Sequence, residues 1–173
     1  MNAVSNLRIA MLVFCAGLPF AGPVVADDAI STSSQGKPVF VSNVPDDAVE
    51  AVAAVDAFTA ALKSAKLEDA RALLDSEVVI LESGGSERSR DEYMAGHAAA
   101  DANFMKSVSQ QLRYRKASRE GNFAWVATQS DLAATKDGKL SVTVSTETML
   151  LRRTDAGWRI VHIHWSSKAA GTR

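Results

Sequence analysis

The stretch Ser145–Ser167, STETMLLRRTDAGWRIVHIHWSS, decides the fold. It reads as two β-strands closed by the turn Thr154-Asp155-Ala156-Gly157, where Gly157 permits the positive φ that such turns use. The first arm reaches back to about Leu140. The second, Trp158 to Ser166, is rich in the β-branched and aromatic residues that suit a pleated, half-buried surface. Strict alternation puts Arg159, Val161, Ile163 and Trp165 on one face and Trp158, Ile160, His162, His164 and Ser166 on the other. Both faces are largely apolar. Helices are therefore expected over one face, and a further layer or a partner subunit over the other.

Upstream of this hairpin, Gln110 to Arg119 and Phe123 to Ala133 read as two more strands. Their connections, Gly121-Asn122 and Lys136-Asp137-Gly138-Lys139, are short and polar, which implies an antiparallel meander of four strands with Leu140 to Arg153 and Trp158 to Ser166. Helices precede it. Pro45-Asp46-Asp47 is a helix start, because proline is tolerated in the first turn and acidic groups favour the positive end of the helix dipole. Val49, Val52, Val55, Phe58 and Leu62 then recur at helical spacing, a stripe expected to face the core. A shorter helix follows over Leu67 to Leu74, and Glu77 to Glu82 encloses an apolar strand. After the Ser83–Ser86 loop, Ser89 and Glu92 form a capping box for a helix from Arg90 to about Lys106, with Tyr93, His97, Ala100 and Phe104 expected inward.

The chain begins differently. Arg8 closes a short basic region, Ile9 to Val25 is apolar but interrupted by Pro19 and Pro23, and Val24-Val25-Ala26 precedes a cleavage point. Residues 1–26 are read as a secretory signal peptide, which places the mature protein in the periplasm or outside the cell. The rival reading, a retained membrane anchor, fits the prolines less well. Cys15 is the only cysteine and lies in this segment, with Phe14 a poor match to lipoprotein processing, so the mature chain has no thiol nucleophile or disulfide. Residues 27–43 are small and polar and read as a flexible leader. The domain is expected over residues 44–167, with a tail at 168–173. A formal net charge of -1 over 173 residues, 47% of them hydrophobic, argues for one core and against a nucleic-acid partner or, after cleavage, a membrane surface.

This order of elements, with Glu147-Thr148-Met149 and Gly157-Trp158-Arg159-Ile160-Val161-His162-Ile163-His164-Trp165-Ser166, resembles the nuclear transport factor 2-like superfamily, also called SnoaL-like or ketosteroid-isomerase-like. The hairpin is similar to the association (hub) domain of calcium/calmodulin-dependent protein kinase II. The resemblance implies an α+β fold in which a curved antiparallel sheet forms a cone, three N-terminal helices cover its concave face over a pocket, and the other face joins a homodimer. Matched residue by residue, the hub pocket's arginine positions fall at Met149, Trp165 and Ala127, none of them basic. The implied pocket is thus apolar or aromatic, lined by Trp165, Met149, Ile163 and Val161 with Tyr93, Ala127 and Trp125, and suited to a small apolar or aromatic molecule. On the same match Glu147 joins the pocket and His162 and His164 move to the outer face.

Three chemistries follow. Glu147 in an apolar wall would have its pKa raised by desolvation, as acid-base work requires, unless it pairs with Arg159 across the hairpin or with a tyrosine. His97 and Asp101 lie one turn apart, close enough for a carboxylate-oriented imidazole or for a plain helix-surface pair. Tyr93, His97 and Tyr114 are candidate donors to an oxyanion. His162 and His164 alternate on one strand face and are weak candidates for a metal, with His97 or Asp101 as a further ligand. No metal and no cofactor is expected, since no phosphate loop, nucleophile elbow or zinc-helix motif occurs. The readings are a ligand-binding domain, an isomerase, cyclase or hydratase using Glu147 or His97 and Asp101, and a homo-oligomerisation module.

Overall fold

The structure, a computed structural model, describes residues 40–170. The proposed signal peptide, all but the last residues of the leader, and residues 171–173 of the tail lie outside the described residues. Among the described residues, seven strands form one sheet in the order β1-β4-β5-β6-β7-β2-β3. These are β1 (Val41–Asn43), β2 (Leu74–Glu82), β3 (Gly85–Glu87), β4 (Ser109–Glu120), β5 (Phe123–Lys136), β6 (Lys139–Thr154) and β7 (Gly157–Ala169). The helices are α1 (Val49–Lys63), α2 (Leu67–Leu73), α3 (Arg90–Ala95) and α4 (Ala98–Ser107), with a short 3-10 turn at Asp46–Ala48. The fold class is α+β.

Strands β4 to β7 pair antiparallel in sequence order, the meander that the short polar turns imply. Strand β2 then pairs parallel with β7, which sets the first long strand of the sequence beside the last. Two short strands were not legible. β3 doubles back on β2 through Ser83 and Gly84, both at positive φ, and β1 pairs parallel with β4 within what reads as leader.

One core joins the helices to one face of the sheet. Ala51, Val55, Phe58 and Leu62 of α1 are buried with Leu74, Val78 and Ile80 of β2, Ala124 and Val126 of β5, Met149 and Leu151 of β6, and Trp158, Ile160 and Ile163 of β7. The α1 stripe is rotated from the expected one. Val49 is exposed and Ala51 takes the inward place, because four-residue steps from Ala51 to Val55 and Phe58 to Leu62 keep one face under the helix.

Strand β7 departs from strict alternation for a defined reason. Leu150 pairs with His162 and Leu151 with Ile160, leaving Val161 as an extra residue in a bulge. The bulge resets the phase of the strand. Trp158 and Ile160 therefore bury on the same face as Ile163, instead of opposing it, and Val161 is only half-buried.

The helix expected from Arg90 to Lys106 is two helices. The Ser89 cap is as expected, with Ser89 Oγ accepting from the Glu92 N–H at 3.1 Å, while Glu92 Oε2 reaches one residue past the cap and accepts from the Arg88 N–H at 2.7 Å. At Gly96 the backbone leaves helical geometry (φ -106°, ψ -91°), and α4 restarts after His97. The new phase buries Ala98 and Ala102 and leaves His97, Ala100 and Phe104 exposed, so of the four residues expected inward only Tyr93 is buried.

Candidate functional site

The pairing register lines up five side chains across the helix-packed face. Arg115 of β4 faces Thr128 of β5, Thr128 faces Glu147 of β6, Glu147 faces Trp165 of β7, and Trp165 faces Glu82 of β2. All share the phase of the buried residues two positions away, such as Ala117, Val126, Met149, Ile163 and Ile80. The Trp165 indole N–H donates to Glu147 Oε2 at 2.8 Å, and the Trp165 ring stacks on Phe58 of α1 with centroids 6.5 Å apart. Arg115 is buried. Its Nε donates to Thr128 Oγ1 at 3.3 Å and its Nη1 to Asp56 Oδ1 of α1 at 2.6 Å.

Glu147 is half-buried, with its carboxyl drawn among these groups. Burial raises its pKa above the ordinary carboxylate value, and the Asp56 charge adds to the rise. The Trp165 N–H, the Arg115 charge and the Thr128 hydroxyl pull the other way without reversing it. The alternative partner Arg159 is not engaged, since its Nη1 donates to the Trp158 carbonyl and its cross-strand neighbour is Arg152. Because the buried guanidinium is bound to Asp56, Glu147 is left as a carboxyl able to hold a proton.

A second cluster adjoins the first through Glu82. Tyr93, fully buried on α3, donates its hydroxyl to Asp101 Oδ2 of α4 at 3.0 Å. His97 Nδ1 bonds Glu87 Oε1 of β3, so the side chains of His97 and Asp101 engage different partners; their link is the Asp101 N–H donating to the His97 carbonyl at 2.9 Å. Burial raises the Asp101 pKa, against the Tyr93 hydrogen bond and the His97 charge. Burial also raises that of Glu82, reinforced by the charges of Asp101 and Glu87. The Tyr93 hydroxyl is pushed up by burial and then by Asp101, which keeps it a neutral donor.

The other expected residues are placed as follows. Met149 and Ile163 are fully buried beneath the row. Trp125 and Ala127, expected in the pocket, alternate with the buried Ala124, Val126 and Thr128 and so project from the opposite face, where the Lys116 ammonium lies 5.9 Å from the Trp125 ring centroid. Tyr114 is on that outer face too, paired with Gln129, and cannot reach the donors around Tyr93. His162 and His164 flank the buried Ile163 and point outward. Among the described residues no group of three histidine, cysteine or acidic side chains is placed to hold a metal ion.

Asp56, Arg115, Thr128, Glu82 and Glu87 were not singled out in the sequence. Arg115 and Glu87 carried a weak signal, as charged residues in the inward phase of their strands.

Open clefts among the described residues lie away from this row. One of about 150 Å³ lies on the outer face, lined by Ser118, Phe123, Trp125 and Leu150. Another of about 300 Å³ lies between α1 and α2, over Ala57, Ala61, Lys66 and Leu73. Neither borders Glu147 or Trp165, beside which Phe58 and Trp165 pack on each other.

The model of the SnoaL-like domain matches residues 51–170. No curated protein matches the chain. A structure from Shewanella frigidimarina NCIMB 400, described as a candidate ketosteroid isomerase, is 30% identical and covers 72% of this chain and 99% of its own, with a TM-score of 0.64. A structure from Xanthomonas campestris, described as a candidate calcium/calmodulin-dependent protein kinase II association domain, is 21% identical over 78% of this chain and 98% of its own, with a TM-score of 0.62. The association domain of the C. elegans kinase is 16% identical over 69% of this chain and 95% of its own, with a TM-score of 0.60. At these lower identities the likeness is one of fold.

Proposed function

The chain belongs to the SnoaL-like domain family, and from that premise we propose that it is a small-molecule-binding domain whose ligand meets the Glu147–Trp165 row. One observation carries this: a carboxyl oriented by an indole N–H, its pKa raised by burial, on the helix-packed face of the sheet beside a stacked aromatic pair. The ligand has an apolar or aromatic body, for Trp165 and Phe58, and a polar group that reaches Glu147. It enters from the side of Glu82 and Asp101, where the site reaches solvent, and its apolar body displaces the Trp165 ring from Phe58. A cone-shaped enclosure by the helices completes the site. The N-terminal residues 1–26 export the protein to the periplasm or beyond.

A thermal-shift screen of the mature protein against apolar and aromatic small molecules tests this, because a ligand of the native state raises the melting temperature by mass action. Hits should be weakened by Trp165→Ala and by Glu147→Gln. Hits indifferent to both substitutions would place binding elsewhere and sink the proposal.

Two other readings have observations of their own. The raised pKa values of Glu147, Asp101 and Glu82 suit acid-base catalysis of the isomerase or dehydratase kind. Glu147→Gln should then abolish turnover while leaving binding in place. The outer sheet face carries Val79, Leu81, Phe123, Trp125 and Leu150, each at least 36% exposed, which suits a homodimer contact. Leu150→Glu should then convert a dimer to a monomer in light scattering, with stability unchanged.

A further inference from the structure

The corner between α3 and α4 is closed by side chains where the helix is broken. The backbone turns at Gly96, and His97, which follows, makes no side-chain cap to α4. Its Nδ1 bonds instead to Glu87 on the edge strand β3. Glu87 is 7% exposed, whereas the His97 ring is largely in solvent. On the inner side of the same corner Tyr93 of α3 holds Asp101 of α4, and Glu82 of β2 is a third carboxylate within electrostatic reach of Glu87 and Asp101. Arg71 of α2 bonds Asp91, and Arg90 of α3, whose buried Nε has no hydrogen-bond partner, lies 3.7 Å from the same carboxylate. The imidazolium of His97 is thus the charge that balances Glu87, with Asp101 and Glu82 behind it.

We propose that His97 is a pH-operated latch: protonated, it ties the α3–α4 corner to β3, and on losing its proton it lets the corner swing away from the sheet edge. The bond changes from an ion pair to a hydrogen bond between a neutral imidazole and the Glu87 carboxylate, so the attraction between two opposite unit charges is lost. At the same time the carboxylates of Glu87, Asp101 and Glu82 lose the positive charge that faces them. This inference stands apart from the ligand reading.

The sign is fixed by the partners. The hydrogen bond to Glu87 raises the His97 pKa against desolvation, and the charges of Glu87, Asp101 and Glu82 add to it. A base with a raised folded-state pKa contributes stability that is full below its ordinary value, about 6.5, and lost as pH climbs through the folded value. Asp101 and Glu82, raised chiefly by burial, run the same way, since their ionised forms are the disfavoured ones. The corner is therefore tightest in acid and loosest above neutrality.

Hydrogen exchange of the whole chain, normalised to the unstructured rate, tests this at about pH 5.5 and about pH 8.5, on either side of the histidine range. The Gly96 and Asp101 amides, bonded to Glu92, Tyr93 and His97, are the reporters. Their opening should increase about two- to fivefold in all across the His97 titration, the worth of an ion pair with one exposed partner, with β5 and β6 unaffected. His97→Gln lies at an exposed position and keeps a neutral donor; it should lose the part of the pH dependence that follows the histidine titration. Glu87→Gln should lower the His97 titration midpoint followed by NMR. Equal protection at both pH values in the parent, parental pH dependence in His97→Gln, or an unmoved midpoint in Glu87→Gln would overturn the latch.

Discussion

Glu147→Gln should make the protein more stable at neutral pH and no more stable in acid. The amide keeps an oxygen for the Trp165 N–H, which reaches the carboxylate at 2.8 Å, and removes the charge that burial disfavours. In the parent, the folded-state pKa of Glu147 is raised above the unfolded value, which for glutamate is about 4.3. Below that value both states are protonated, so parent and variant should differ only by the quality of one hydrogen bond, about 1 kcal/mol at most. Above it the unfolded state ionises first. Parent stability then falls by as much as about 1.4 kcal/mol per pH unit until the folded pKa is passed, after which the difference is constant. Urea denaturation of both proteins from acid to neutral pH, with the same slope on denaturant required of each, measures this difference, and other titrating groups cancel in it. A variant that is less stable than the parent near neutrality would refute the reasoning. It would mean that the Arg115 charge outweighs burial and that Glu147 is an ordinary ion-pair partner.

Phe58→Ala should cost about 3–5 kcal/mol, because it opens a cavity in the centre of the core and removes the stack on Trp165; a loss near 1 kcal/mol in denaturant unfolding would show that α1 is not anchored there. Ser89→Ala should cost about 1 kcal/mol through loss of the cap on α3, read in the same assay, and a neutral result would mean that the Glu92 arm of the box suffices. Trp165→Phe should preserve the stack but strip the donor from Glu147, costing about 1–3 kcal/mol with little change in the buried aromatic area.

What was legible followed from local chemistry. The Gly157 turn, the polar connections of the meander and the Ser89 cap each involve residues within a few positions of one another, and the structure has them as expected. What was not legible depended on partners far along the chain or on phase. Asp56 meets Arg115 across 59 positions, so neither looked special within its own element. The bulge at Val161 adds one residue to a strand, and a period of two then misassigns everything beyond it, which is how Trp158 and Ile160 came to be read as opposing Ile163. Trp125 and Ala127, expected in the pocket, are one position out of phase with the buried Val126 and Thr128. Gly96 breaks a helix whose periodicity looked continuous, and that break moved His97 from the core to the rim and left Asp101 to Tyr93.

The central claim is that a protonatable Glu147, held by the Trp165 N–H, is the polar centre of the site. The chain has three tryptophans, and a pH titration of their indole N–H resonances, with Trp165→Phe to assign the signal, reads that bond directly. The account predicts that the Trp165 resonance moves through one titration with a midpoint above the ordinary glutamate value of about 4.3, and that Glu147→Gln abolishes the movement. A Trp165 resonance that does not titrate, or one that titrates at the ordinary value or persists in Glu147→Gln, would contradict it.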